Sequence, residues 1–103
     1  MYKRQAAGRV RVLARLPEPL AHAAGAVLGG TFFVLGGRGD SAAGTRSTIL
    51  AIDPSSGAVR SGGRLPLALS DLSATTANGR LIVAGGRDGG GTVHGELWTL
   101  VPR

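Results

Sequence analysis

Gly29-Gly30-Thr31-Phe32-Phe33-Val34-Leu35-Gly36-Gly37-Arg38 returns 49 residues later as Asn78-Gly79-Arg80-Leu81-Ile82-Val83-Ala84-Gly85-Gly86-Arg87. Each copy opens on a Gly-Gly or Asn-Gly pair, the commonest signal for a tight hairpin turn. Five residues rich in β-formers follow, and a glycine doublet then ends the run, because glycine weakens a strand and marks a sharp exit. The chain is therefore a repeat of a β unit. The apolar run 32–35 has no polar interruption, which predicts a central strand covered on both faces.

The repeat is wider than this stretch. At the same spacing Arg15, Leu16, Pro17, Leu20, Gly30, Val34, Gly36, Gly37 and Arg38 all recur identically, too many for two unrelated strands. One residue is lost after Arg38, and Ile49-Leu50-Ala51-Ile52-Asp53-Pro54 then falls on Leu97-Trp98-Thr99-Leu100-Val101-Pro102. Loss of a residue between matched strands is what an exposed loop tolerates.

Working outward, residues 9–14 (Arg-Val-Arg-Val-Leu-Ala) alternate polar and apolar and predict a half-buried strand. Pro17 and Pro19 forbid helix and ladder alike, so an extended crossover follows. Strands are predicted over 23–28, 31–35, 47–52 and 58–64, with Asp53-Pro54-Ser55-Ser56-Gly57 as a turn. The cycle restarts with strands at 73–77, 80–84 and 96–101. Residues 1–8 match nothing in the second unit and are read as an unstructured tail, foreign to the repeat. The fold class is all-β.

The chain has 103 residues, room for about two such units. With Phe 2, Tyr 1, Trp 1 and Met 1, its apolar content is Ala, Val, Leu and Ile, which suits thin stacked sheets. Its 18 glycines punctuate strands instead of forming a tract, which argues against disorder. The absence of cysteine excludes disulfides, thiolate metal sites and thiol catalysis. No apolar run approaches the roughly 18 residues of a membrane span, and the start lacks the apolar stretch of a signal peptide. Localisation stays open. A net charge of +6 raises the question of nucleic acid, but almost no aromatic side chains are present to stack on bases, so the charge reads as a solvated basic surface.

On these residues the chain resembles the kelch repeat of β-propellers, over about residues 10–102. The family's doublet after the second strand is Gly36-Gly37 and Gly85-Gly86, and the aromatic position ahead of it is filled by Phe33 and Ile82. Asp53-Pro54 matches the family's turn. The Tyr before that turn is replaced by Ile52, and the Trp of the outer strand falls at Val59. The glycine-rich, Trp-poor form is similar to bacterial kelch-like propellers and to the central domain of galactose oxidase. The resemblance implies antiparallel four-stranded blades. Residues 9–20 are then the outer strand and crossover of a preceding blade, 21–66 one complete blade, and 67–103 an incomplete one. Two blades do not close a ring, so the expectation is a piece of a longer propeller that needs its remaining blades or associates with itself through open edges.

The candidate ligand-facing residues lie in the loops after the doublets: Arg38 and Arg87, suited to a carboxylate or phosphate, with Asp40 and Asp88 beside them. Arg38-Gly39-Asp40 spells the tripeptide that integrins recognise, a match that three residues give by chance. Asp88 lacks the alternating acids of a calcium loop. His22 and His94 read as lone histidines without zinc partners. Ser70-Asp71 and His22 occupy equivalent crossovers, but no strained nucleophile turn is present. Galactose oxidase holds copper with Tyr, His and Cys; with no cysteine here and its one tyrosine, Tyr2, in the tail, no cofactor and no catalytic or metal residue is assigned. The expected function is a non-enzymatic scaffold for a protein or carbohydrate ligand. The alternative is a fragment of a sugar epimerase or oxidase propeller whose catalytic residues lie outside this chain.

Overall fold

The computed structural model describes residues 9–39 and 44–101. The expected tail, 1–8, and the candidate Asp40 lie outside the described residues.

Seven strands form two antiparallel sheets, and no helix occurs among the described residues. The first sheet is a meander of β1 (Ala24–Leu28), β2 (Thr31–Leu35), β3 (Thr48–Ile52) and β4 (Val59–Arg64). The second is β5 (Ser73–Ala77), β6 (Arg80–Ala84) and β7 (Leu97–Leu100). Both first hairpins turn on two residues. Gly29 and Gly30 have φ of 58° and 78°, and Asn78 and Gly79 of 53° and 73°. Two consecutive left-handed residues give the primed turn whose twist matches the strands it joins, and Gly and Asn are the residues that adopt it cheaply.

The sheets stack with β1 against β5 and β6. Between them lies the core: Ala26, Phe33, Leu35, Ile49 and Ala51 from the first sheet and Leu81 and Val83 from the second. Leu65, Leu69 and Leu72 of the crossover fill the space between. The crossover is stitched to both sides. Gly37 N–H donates to the Leu69 carbonyl at 2.8 Å, and Ser70 and Arg87 exchange backbone hydrogen bonds of 2.9 and 2.8 Å.

Two expectations are corrected. The run 32–35 is not covered on both faces. Phe33 and Leu35 enter the core while Phe32, on the other face, is 37% exposed, because only one face of the first sheet meets the second. Residues 9–14 form no strand: they have no ladder partner, and Val10 and Val12 are 99% and 65% exposed. An alternating pattern encodes a strand only where an edge is present to pair with it.

Candidate functional site

Arg38 and Arg87 leave their doublets in the same way. Arg38 makes antiparallel bridges to Ala21 and Thr45, and Arg87 makes them to Ser70 and Val93. These bridges aim both side chains along one end of the stacked sheets. His22 and Asp71 are the residues that follow Ala21 and Ser70, and both adopt φ of 57°. Left-handed backbone of this kind is uncommon outside glycine and enriched in Asn, Asp and His. The two turns meet, with Asp71 N–H donating to the His22 carbonyl at 2.8 Å.

Asp71 is the hub. His22 Nδ1 lies 2.7 Å from Asp71 Oδ1, Arg38 Nη2 3.4 Å from Oδ2, and Arg87 Nε 3.7 Å from Oδ2. Arg38 Nη2 also donates to Ser70 Oγ at 3.3 Å. Two guanidiniums thus share one carboxylate. Positive charge is left in excess, and so are donors, since each guanidinium carries five N–H groups. Arg38 Nε is buried without a hydrogen-bond partner.

The second wall is the loop after Arg87. Asp88 Oδ1 accepts from the N–H groups of Gly90 and Thr92 at 2.9 and 3.0 Å, and Oδ2 meets His94 Nε2 at 2.8 Å. Glu96 Oε1 lies 3.4 Å from His94 Nδ1. The reading of both histidines as lone is therefore corrected. His22 has a carboxylate brought by the second unit, and His94 has two, one of them across the loop. The His94 hydrogen bond and the Thr92 and Gly90 N–H groups hold Asp88 below the usual carboxylate range. The hydrogen bond to Asp88, helped by the charges of Asp88 and Glu96, raises His94 above its ordinary value.

Since His94 is raised on folding, its contribution is complete below the ordinary value of about 6.5 and is lost as pH rises through the raised value. Asp88 is lowered, so its contribution holds above about 3.9 and is lost as pH falls through the lowered value. The loop is tightest between these limits. An NMR titration of the His94 ring is expected to report a raised pKa, and Asp88→Asn to bring it down toward about 6.5. No difference between the two proteins would show that Asp88 does not hold the ring.

Arg38, Gly44, Thr45, Arg87, Asp88 and Gly89 line a cavity of about 250 Å³ between the two loops. Of the four candidate residues, Arg38, Arg87 and Asp88 come together here. Asp88 spends both oxygens on its own loop, so it shapes the wall and the arginines carry the binding chemistry. Asp71 was missed as a site residue. Its signal in the sequence is its position one spacing after His22, beside Ser70 in a crossover otherwise apolar.

Ser70 is fully buried. Its Oγ lies 3.5 Å from Asp71 Oδ2, and His22 also turns to Asp71, so the carboxylate stands between hydroxyl and imidazole. Activation of a serine needs the imidazole in that place. Among the described residues no group of three or more His, Cys, Asp or Glu side chains is placed to hold a metal ion, and no helix is long and apolar enough to cross a membrane. Neither a protein-family profile nor a curated protein matches the chain.

Proposed function

We propose that the chain is a segment of a kelch-type β-propeller that serves as a binding scaffold and takes the anionic group of a carbohydrate or protein ligand in the cavity between Arg38 and Arg87. The propeller reading is supported by two meanders written in one register, with their first strands side by side as neighbouring blades require. The binding reading is carried by one observation: the equivalent arginines of the two units converge on one carboxylate and line one cavity. Planar guanidiniums with spare donors recognise carboxylates and phosphates in pairs. The use of Ser70 and His22 by Asp71 favours binding over catalysis. A propeller enzyme of the epimerase or oxidase type would place its reacting groups on other residues than these.

Calorimetric titration with galacturonate and with inorganic phosphate tests this, with neutral galactose as control. Saturable binding of one of the anions is expected, with no heat from galactose. Arg38→Ala or Arg87→Ala is expected to weaken it about tenfold each, the worth of a charged hydrogen bond. Equal binding by both variants and the unaltered protein would remove the cavity from consideration.

A further inference from the structure

The two stacked sheets do not meet through the same face. The first offers the side of Phe33, Leu35, Ile49 and Ala51, and the second offers Leu81 and Val83. At the spacing of the repeat, Leu81 and Val83 are the counterparts of Phe32 and Val34, which lie on the opposite side of the first sheet. The contact is head to tail. It leaves one face of each kind without a partner sheet: on the first sheet Phe32 and Val27, 37% and 57% exposed beside the buried Ile52, and on the second Ile82 and Ala84 with Leu97, 66% exposed.

The edges are equally unmatched. β3 is covered by β4, whereas β7, the counterpart of β3, has no strand beyond it among the described residues. Residues 10–15 are the counterparts of β4, since Arg15-Leu16-Pro17 falls on Arg64-Leu65-Pro66. They have no ladder partner and show Val10, Val12 and Leu13 to solvent. One molecule therefore displays the counterpart of a strand without a sheet and a sheet without that strand.

We infer that this chain associates with a second copy of itself head to tail: residues 10–15 of one copy complete the second sheet of its neighbour by pairing with β7, while the Phe32 face packs on the Leu97 face. The junction between copies repeats the junction already present between the two sheets of one copy. Such a contact is heterologous, so it propagates until rotation closes it into a ring or continues as a filament. Each copy brings two sheets, and propellers hold about 4–8, so a closed ring has about two to four copies. The inference rests on the repeat reading above and not on any ligand. An anion-binding failure leaves it standing, and a monomeric chain leaves the arginine cavity intact.

Sedimentation velocity with two variants tests it. Arg11→Pro/Val12→Pro disables the donated strand, because successive N–H groups face alternate edges and one of the two must serve β7. Leu97→Asp disables the receiving face. Both changes fall on exposed or unpaired positions, so each variant is expected to keep the circular dichroism of the seven strands, short only of the strand that residues 10–15 add on pairing. The unaltered chain is expected to form a ring or a growing polymer, and each variant alone to run at the mass of one chain. Mixed, the two variants are expected to form a one-to-one dimer, since one keeps a working donor and the other a working acceptor. A monomeric unaltered chain, an assembly that either variant leaves intact, or a mixture that stays monomeric would overturn the inference.

Discussion

Gly36→Ala is expected to destabilise the protein by on the order of 3 kcal/mol, while the same change at its repeat counterpart, Gly85→Ala, costs only about 1 kcal/mol. Both glycines have left-handed backbone, with φ of 63° and 66°. An L side chain there costs about 1–2 kcal/mol by itself. The difference lies in what surrounds them. A Cβ on Gly36 would run into the Leu69 carbonyl, with Leu65 Cδ1 and Leu72 Cδ2 at 3.2 and 3.3 Å, all in the packed crossover. A Cβ on Gly85 would meet nothing closer than the His94 carbonyl at 3.5 Å, an ordinary contact. Overpacking adds about 1–3 kcal/mol to the first and nothing to the second. For a domain of this size that separates the two melting temperatures by roughly 10 °C or more. Gly79→Ala, with φ of 73° and open space around it, gives the conformational cost alone. If Gly36→Ala and Gly85→Ala melt together, the crossover is not packed under the first doublet as described.

That contrast also marks the limit of sequence reading. Thr31–Leu35 and Arg80–Ala84 take the bounds expected from the sequence, because a two-residue turn on one side and a glycine doublet on the other leave a strand little freedom in where it starts or stops, and Ser73–Ala77 ends as expected at the Asn78-Gly79 turn. The all-β class and the division into two antiparallel sheets follow from those local signals. Which face is covered does not follow. Phe32 and Phe33 are alike in sequence, and only the stacking of the second sheet buries one and exposes the other. Residues 9–14 carry a sound strand pattern and no partner. In the site, Arg38 and Arg87 are visible as a repeated pair, whereas Asp71 is recognisable only once the two crossovers are laid side by side. Likewise Glu18 and Arg46, 28 residues apart, form a two-pronged ion pair of 2.8 Å in each arm that no local pattern announces. The guanidinium holds Glu18 below the usual carboxylate range, chiefly through those hydrogen bonds.

Leu69→Ala is expected to cost about 2–5 kcal/mol, the range for emptying a fully buried leucine site, and to loosen both sheets together. Leu69 has no exposed surface. Its N–H donates to the Arg46 carbonyl at 3.1 Å and its carbonyl accepts from Gly37 N–H, which fixes it to the first sheet. Its Cβ lies 3.5 Å from where a Cβ on Gly86 would be, beside the doublet of the second sheet. The next residue, Ser70, is bonded to Arg87. A void here is bounded on two sides by loop backbone already held by hydrogen bonds, so it collapses little, and the cost belongs to the upper part of the range. Three or four thin strands bury little on their own, so the sheets depend on the shared core for stability. Hydrogen exchange is the measurement that separates this from a local defect. Amides of β2 and β6 are expected to lose protection by the same free energy in Leu69→Ala, while the volume-conserving Leu69→Met stays within about 1.5 kcal/mol of the unaltered protein. Faster exchange in β6 with β2 unchanged would mean that each sheet stands alone, and the crossover would then be a tether between two units instead of the middle of one core.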